Sequence, residues 1–339
     1  MFNTNELKCA GTLVSKVITL GKTSAGKEYA SARLELEVSE NNRVTLEMFA
    51  NKLSSTGQES KLYANLMTIK DTYKSLDSQF VDRRMNKENK PMKLEATTVA
   101  SKEECDFIIA NKGIELSMNR YLNQDGQLMS NWRLSVNFVN RVKEGQPRVP
   151  MLEGNLYGVV EGNARVKEEN GKEFLEVDIV VPKYRDAWGD RDASVVVEKF
   201  TLVLKDGEEE IEDFEGAMDY CREIFEDRAV VCVGVKPVNR VESEEQPKEE
   251  ERPKRGFGKV ASFQPSTKIV REIRIIGGYA LEEVEYENDE NFNFELYQQA
   301  LVEFDEKIKA LEENKSQEQT VTRGFGRKPQ SGGKSNLPF

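Results

Sequence analysis

Between Lys8 and Ala50 polar and apolar residues alternate through three consecutive runs, and this period of two commits the chain to β-structure with one buried face. The runs pass through Leu13, Val17 and Leu20, then Arg33-Leu34-Glu35-Leu36-Glu37-Val38, then Val44 to Phe49. Gly21 to Gly26 and Ser39 to Asn42 supply the polar, flexible connections a meander needs. The pattern returns later. Gly154-Asn155-Leu156 matches Gly11-Thr12-Leu13, and Gly171-Lys172-Glu173-Phe174 matches Gly26-Lys27-Glu28-Tyr29, followed by strands over Leu175 to Val181 and Val195 to Leu204. A chain of 339 residues accommodates two such units.

Each meander is followed by apolar residues at helical spacing: Leu62, Leu66 and Ile69 within Asn51 to Gln79, and Phe214, Met218 and Cys221 within Ile211 to Phe225. A hairpin over Gly113 to Asn123 and Gln127 to Val142 closes the first unit. In the second, strands are expected at Ala229 to Val235 and Ile269 to Ile276. The segment 242–268 is rich in Glu, Lys, Pro and Gly and reads as a disordered insertion. Phe294 to Leu311 reads as an amphipathic helix and the remainder as a flexible tail. The expectation is a mainly β protein with a few helices: a first domain over 1–148, a second over 149–287, and a helix and disordered tail over 288–339.

Several function classes fall away. The chain contains no histidine, which removes the commonest general base and transition-metal ligand, and no acidic pair stands in a glycine-framed site. Gly21 to Lys27 spells the first seven positions of a phosphate-binding loop, but Glu28 stands where a magnesium-holding Ser or Thr is required. The alternation of Tyr29 to Val38 also replaces the necessary helix, so the motif reads as a basic hairpin tip. A non-enzyme without cofactor or metal is expected. Cys9, Cys105, Cys221 and Cys232 are far apart and read as reduced thiols. No apolar run suits a membrane span, and MFNTNELK lacks an export pattern, so the expected location is the cytoplasm, that of the host if a phage encodes the protein.

Charge divides unevenly. Residues 1–150 carry 22 Lys and Arg against 18 Asp and Glu, whereas residues 151–241 carry 12 against 22. The first half is therefore the candidate for a polyanion. The second either touches nucleic acid through Lys183-Tyr184-Arg185 and the Trp188 to Arg191 loop or serves as a dimerisation or scaffold domain. Arg255-Gly256-Phe257-Gly258 and Arg323-Gly324-Phe325-Gly326 place a cation beside an aromatic twice in flexible sequence, a composition suited to nucleic acid or to a protein partner.

The glycine-bearing first strand, the Ser-Ala-Gly-Lys tip at Ser24 to Lys27, the helix after the third strand and the closing hairpin resemble the oligonucleotide-binding (OB) fold. The ending Leu337-Pro338-Phe339 is similar to the tip of bacterial and phage single-stranded DNA-binding proteins. That resemblance implies two OB-like β-barrels and a non-catalytic single-strand-binding protein serving DNA replication, recombination or repair. A tandem-domain, phage-type variant of the family is implied, with a protein-interaction scaffold as the alternative. Single strands are held by cations along the phosphates and aromatics under the bases. The implied phosphate contacts are Lys22, Lys27, Arg33, Arg43, Arg120, Arg133 and Arg141, and the implied base contacts are Tyr29, Phe49, Tyr121 and Trp132. Arg255, Phe257, Arg323 and Phe325 join them from the flexible segments, and Leu337, Pro338 and Phe339 would recruit replication or recombination proteins. RNA in place of DNA, and self-association into a homo-oligomer, stay open.

Overall fold

A computed structural model describes residues 5–54, 57–76, 98–99, 101–110, 113–123, 127–185, 194–243, 267–281 and 294–321. The first half holds β1 (Asn5–Lys22), β2 (Glu28–Ser39), β3 (Asn42–Asn51), α1 (Lys61–Thr72), β4 (Ser75–Leu76), β5 (Thr98–Val99), β6 (Phe107–Ala110), β7 (Ile114–Leu122), β8 (Leu128–Val136) and β9 (Asn140–Arg141). The second holds β10 (Met151–Val160), β11 (Arg165–Glu169), β12 (Lys172–Arg185), β13 (Ser194–Leu204), α2 (Phe214–Ile224), β14 (Val230–Ser243) and β15 (Thr267–Ala280), and α3 (Phe294–Val321) follows.

In the first half β1, β2 and β3 form an antiparallel meander, β8 joins β3 in parallel, and β7 pairs with β8. β6, just before β7 in the chain, returns to β1 through Cys9↔Ala110 to Thr12↔Phe107 and closes the ring. The second half repeats this order: β10 to β12 to β13, a parallel step to β15, antiparallel β14, and back to β10. A helix lies in the chain after the third strand of each ring. Both halves are thus five-stranded Greek-key barrels of OB type, and the connectivity itself establishes the fold.

The alternation that announced the strands determines what they bury. On β2, Ala30, Ala32, Leu34, Leu36 and Val38 point inwards while the residues between them face outwards. α1 buries Tyr63, Leu66 and Ile69, spaced to share one face. Its last turn is held by an inward lysine: Lys16 is 1% exposed and its Nζ donates to the carbonyls of Ile69 (2.8 Å) and Lys70 (2.5 Å). A cation at a helix C-terminus also meets the negative end of the helix dipole. α2 begins at Asp213, whose carboxylate accepts from Gly216 N at 3.0 Å, and buries Met218, Cys221 and Ile224. The four cysteines are free and buried.

The two barrels are joined strand to strand. The first half of β1 pairs antiparallel with the first half of β10, from Asn5↔Leu156 to Ala10↔Met151, before β2 and β12 take over the same edges. The hydrogen-bonded path therefore runs through both barrels, and one contiguous core extends from Leu34 and Leu46 through Leu7, Leu152 and Leu156 to Val177 and Phe200. The handover also corrects the register of the sequence repeat. A Cβ on Gly11 would lie 2.5 Å from the Glu37 carbonyl oxygen, and one on Gly158 would lie 2.8 Å from that of Val180. Gly158, not Gly154, is thus the counterpart of Gly11. The second match holds, because Gly26 and Gly171 both occupy the turn that leads into the second strand of their barrel.

The helix after the first meander is shorter than its window, since Leu53 lies in a bridge to Glu59 and is exposed. β14 and β15 stay paired to Ser243↔Thr267, so the expected insertion 242–268 begins and ends within strands, and 244–266 lies outside the described residues. α3 extends ten residues past Leu311, to Val321; the tail expected after it lies outside the described residues.

Candidate nucleic-acid interface

The outward residues of β2, β3, β8 and β7 form a continuous face on the first barrel. At the end nearest the β1–β2 turn, the Tyr29 and Phe49 rings lie 5.2 Å apart at 31°, and Phe49 is 57% exposed. Tyr29 lies against bare backbone: a Cβ on Gly21 would come within 2.6 Å of its ring. Lys22, Lys27 and Lys52 stand at the same end of the face, all exposed or nearly so, and Lys22 and Lys52 pair with Glu28, the residue before Tyr29. The 2.7 Å hydrogen bond from Lys52 Nζ lowers the Glu28 pKa and raises that of Lys52.

The middle of the face carries Arg33 and Arg133, both held by Glu47 at 3.4 and 4.0 Å. Arg133 Nε also donates to Ser117 Oγ at 3.3 Å. Beyond them Tyr121, 41% exposed, accepts from Asn131 Nδ2 at 3.2 Å. Arg43 marks the far end, paired with Glu35 and Glu37. Burial raises the Glu35 pKa against the pull of Arg43. Aromatic faces at one end, two guanidiniums on a shared carboxylate and a tyrosine at the other end form a surface on which bases can stack and phosphates can replace Glu47.

Three expected contacts are placed elsewhere. Trp132 is 4% exposed and belongs to the core, and the Arg271 guanidinium covers its ring at 4.8 Å, so it is no open platform for a base. Arg120 reaches the second barrel, donating to the Lys199 carbonyl at 2.6 Å with its guanidinium 4.9 Å from the Phe304 ring centroid. Arg141 pairs with Asp106 at 3.4 Å and stacks on Tyr73, near the end of α1 and away from this face. Arg255, Phe257, Arg323, Phe325, Leu337, Pro338 and Phe339 lie outside the described residues. Sequence reasoning missed Lys52, Asn131 and Arg271. Lys52 carried a signal, a cation three residues past an outward aromatic, whereas Arg271 carried none.

The equivalent face of the second barrel is covered. Phe174, in the place of Tyr29, lies 4.7 Å from the Lys205 ammonium, which is held in turn by Glu169 (2.8 Å) and Glu272 (2.6 Å). Glu176 and Asp178 follow, bound to Arg165 and Lys167. At the other end Tyr297 and Ala300 of α3 pack over Val180 and Val197, and Lys199 pairs with Asp305 at 3.0 Å. The β7–β8 hairpin meets the remainder across a cavity of about 510 Å³ lined by Trp132, Asn131, Phe174 and Lys205.

The sequence matches the family model described as YorF over residues 3–88 and 95–317. The chain belongs to the YorF family. No curated protein has significant similarity to this YorF-family chain. Among solved structures it is similar to the wild-type single-stranded DNA binding protein from Thermus aquaticus, at 14% identity and TM-score 0.39, over 77% of this chain and 98% of that one. A deletion mutant of that protein gives 12% and 0.37, over 74% and 98%. A Plasmodium falciparum SSB complex with ssDNA gives 13% and 0.24, over 38% of this chain and 94% of that one. These are weak likenesses of shape, and the OB assignment rests on strand connectivity.

Proposed function

We propose that this protein binds single-stranded DNA without catalysis, along the outward face of the first barrel. The observation that carries this reading is the open Tyr29–Phe49 pair, at the same end as Lys22, Lys27 and Lys52, on the strand-two and strand-three face that OB barrels use for oligonucleotides. The first barrel, over 1–148, is the binding module. The second, over 149–287, supports it, because α3 and the β7–β8 hairpin occupy the corresponding face. Replication, recombination or repair are the processes such binding serves. The test is titration of a fluorescent oligo-dT against a duplex of equal length at two salt concentrations. The expected result is preference for the single strand with affinity falling as salt rises, because phosphate contacts release counterions. Equal binding of both, or none, rejects the proposal.

A further inference from the structure

The hairpin of β14 and β15 is longer than its own barrel requires. β10 pairs with β14 only from Val230 to Val235, yet the two hairpin strands stay paired to Ser243↔Thr267. The distal half leaves the second barrel and docks on the first. Arg240 pairs with Asn42 at the start of β3, Asn239 N donates to Asn42 Oδ1 at 2.9 Å, and Asn239 Nδ2 donates to the Arg43 carbonyl at 2.6 Å. Asn42 is 4% exposed there and donates back to the Pro237 carbonyl. On the paired strand, Arg271 lies over the Trp132 ring and donates to the Trp132 carbonyl.

The docking site is where β8 diverges from β3. β8 pairs with β3 at Leu46↔Leu134 and Glu47↔Ser135, so Trp132 stands two residues before the shared ladder and Asn42 four residues before it on the other strand. The hairpin enters the gap between the β2–β3 turn and the β7–β8 hairpin. Burial lowers the Arg271 pKa, and Tyr121, Glu47 and Arg33, three residues of the proposed binding face, are near enough to act on it electrostatically. The Arg271 side chain is exposed, and its planar cation rests on an aromatic that restrains its orientation.

We infer that the nucleic-acid face of the first barrel is completed by the second barrel, whose Arg271 supplies a phosphate contact in line with Arg33 and Arg133. This rests on the single-strand reading above. The second barrel then takes part through its arm while its own face stays covered. The arm's docking contacts, among them those of Asn42 with Asn239, Pro237 and Arg240 and that of Arg271 with the Trp132 carbonyl, position the guanidinium.

The test uses the full chain and a fluorescent oligo-dT, with Kd measured from low to high salt for wild type, R271M, R271K and N239A. Methionine keeps the packing on Trp132 and removes the charge. R271M is expected to bind about tenfold more weakly at low salt, as loss of one charge-assisted contact implies. It should also show a log K against log salt slope smaller in magnitude by about 0.7, the value for one phosphate on a single strand. R271K should keep the wild-type slope. Wild type that binds with R271M equal to it in affinity and slope overturns the inference and leaves the single-strand reading intact. Wild type that fails to bind removes both. Should R271M lose thermal stability, R271K and N239A decide. A wild-type slope in R271K with weakened N239A supports the assignment, and a slope in R271K reduced like that of R271M rejects it.

Discussion

At the turn end of the first barrel Tyr29 meets Phe49 and solvent, with three lysines at that end; at the same place in the second, Phe174 lies under Lys205, and Glu169 and Glu272 neutralise that lysine. The backbone is the same and the side chains have diverged. Where the first face carries Arg33 opposite Glu47, the second carries Asp178 and Glu176 with Arg165 between them. Further along, α3 lays Tyr297 and Ala300 on Val180 and Val197, and the first barrel has no helix in that position among the described residues. One OB face thus stays open while its twin becomes internal surface. The signs of this change are aromatic exposure and the partners of the nearest lysine.

The largest expected effect tests the distinction between buried and open aromatics. Trp132→Ala should cost about 3 to 5 kcal/mol in urea unfolding, the range for a core aromatic. A loss below about 1 kcal/mol would show that the ring is not packed as described. Next, Phe49→Ala should weaken oligo-dT binding by about 1 to 3 kcal/mol with little change in stability. Phe174→Ala should leave affinity unchanged, and equal losses at both positions would erase the contrast between the faces.

A smaller effect distinguishes how the helices end. In the first barrel the α1 carbonyls receive the buried Lys16 ammonium, whereas in the second the Phe225 carbonyl just after α2 receives the Ala164 amide at 3.3 Å. Burial lowers the Lys16 pKa to about 8 from 10.5. Between these values the unfolded chain holds a proton the folded chain has released, so this group adds stability as pH rises through about 8 to 10.5. The gain should be on the order of 1 kcal/mol after solvent screening. Urea midpoints at pH 7.5 and pH 10 for wild type and Lys16→Met check it, and a parallel change in both proteins removes the assignment. The smallest effect is at Gly21→Ala, where the new methyl displaces the Tyr29 ring. Oligo-dT affinity should fall by less than about 1 kcal/mol, and a loss equal to that of Phe49→Ala would mean Tyr29 is the principal platform.

Much of the fold was legible because local patterns determined it. Arg33 to Val38 alternates, and the alternation became the burial pattern of β2; Gly-Lys-Glu-aromatic occurs twice and marks the same turn twice. Phe49 was legible as an outward aromatic because its phase on β3 follows from the same alternation. Trp132 and Arg120 were misplaced because their environment is made by distant chain: Arg271 is 139 residues from Trp132, and Lys199 is 79 from Arg120. Their strand phase nevertheless held a signal, since Trp132 alternates with the buried Leu134 and Val136 on β8 and Arg120 with the buried Ile114 and Leu116 on β7. The docking of α3 was hidden, since an apolar stripe indicates that a helix is covered but not by what.

The antiparallel join of β1 and β10 has a consequence for dilution. Two barrels that met only in solution would separate once the protein concentration fell below their dissociation constant. Here the chain itself links the paired strands, so each barrel experiences the other at an effective concentration set by the connection, of roughly millimolar order for short linkers. A surface assembled from both barrels therefore stays intact however few copies of the protein are present.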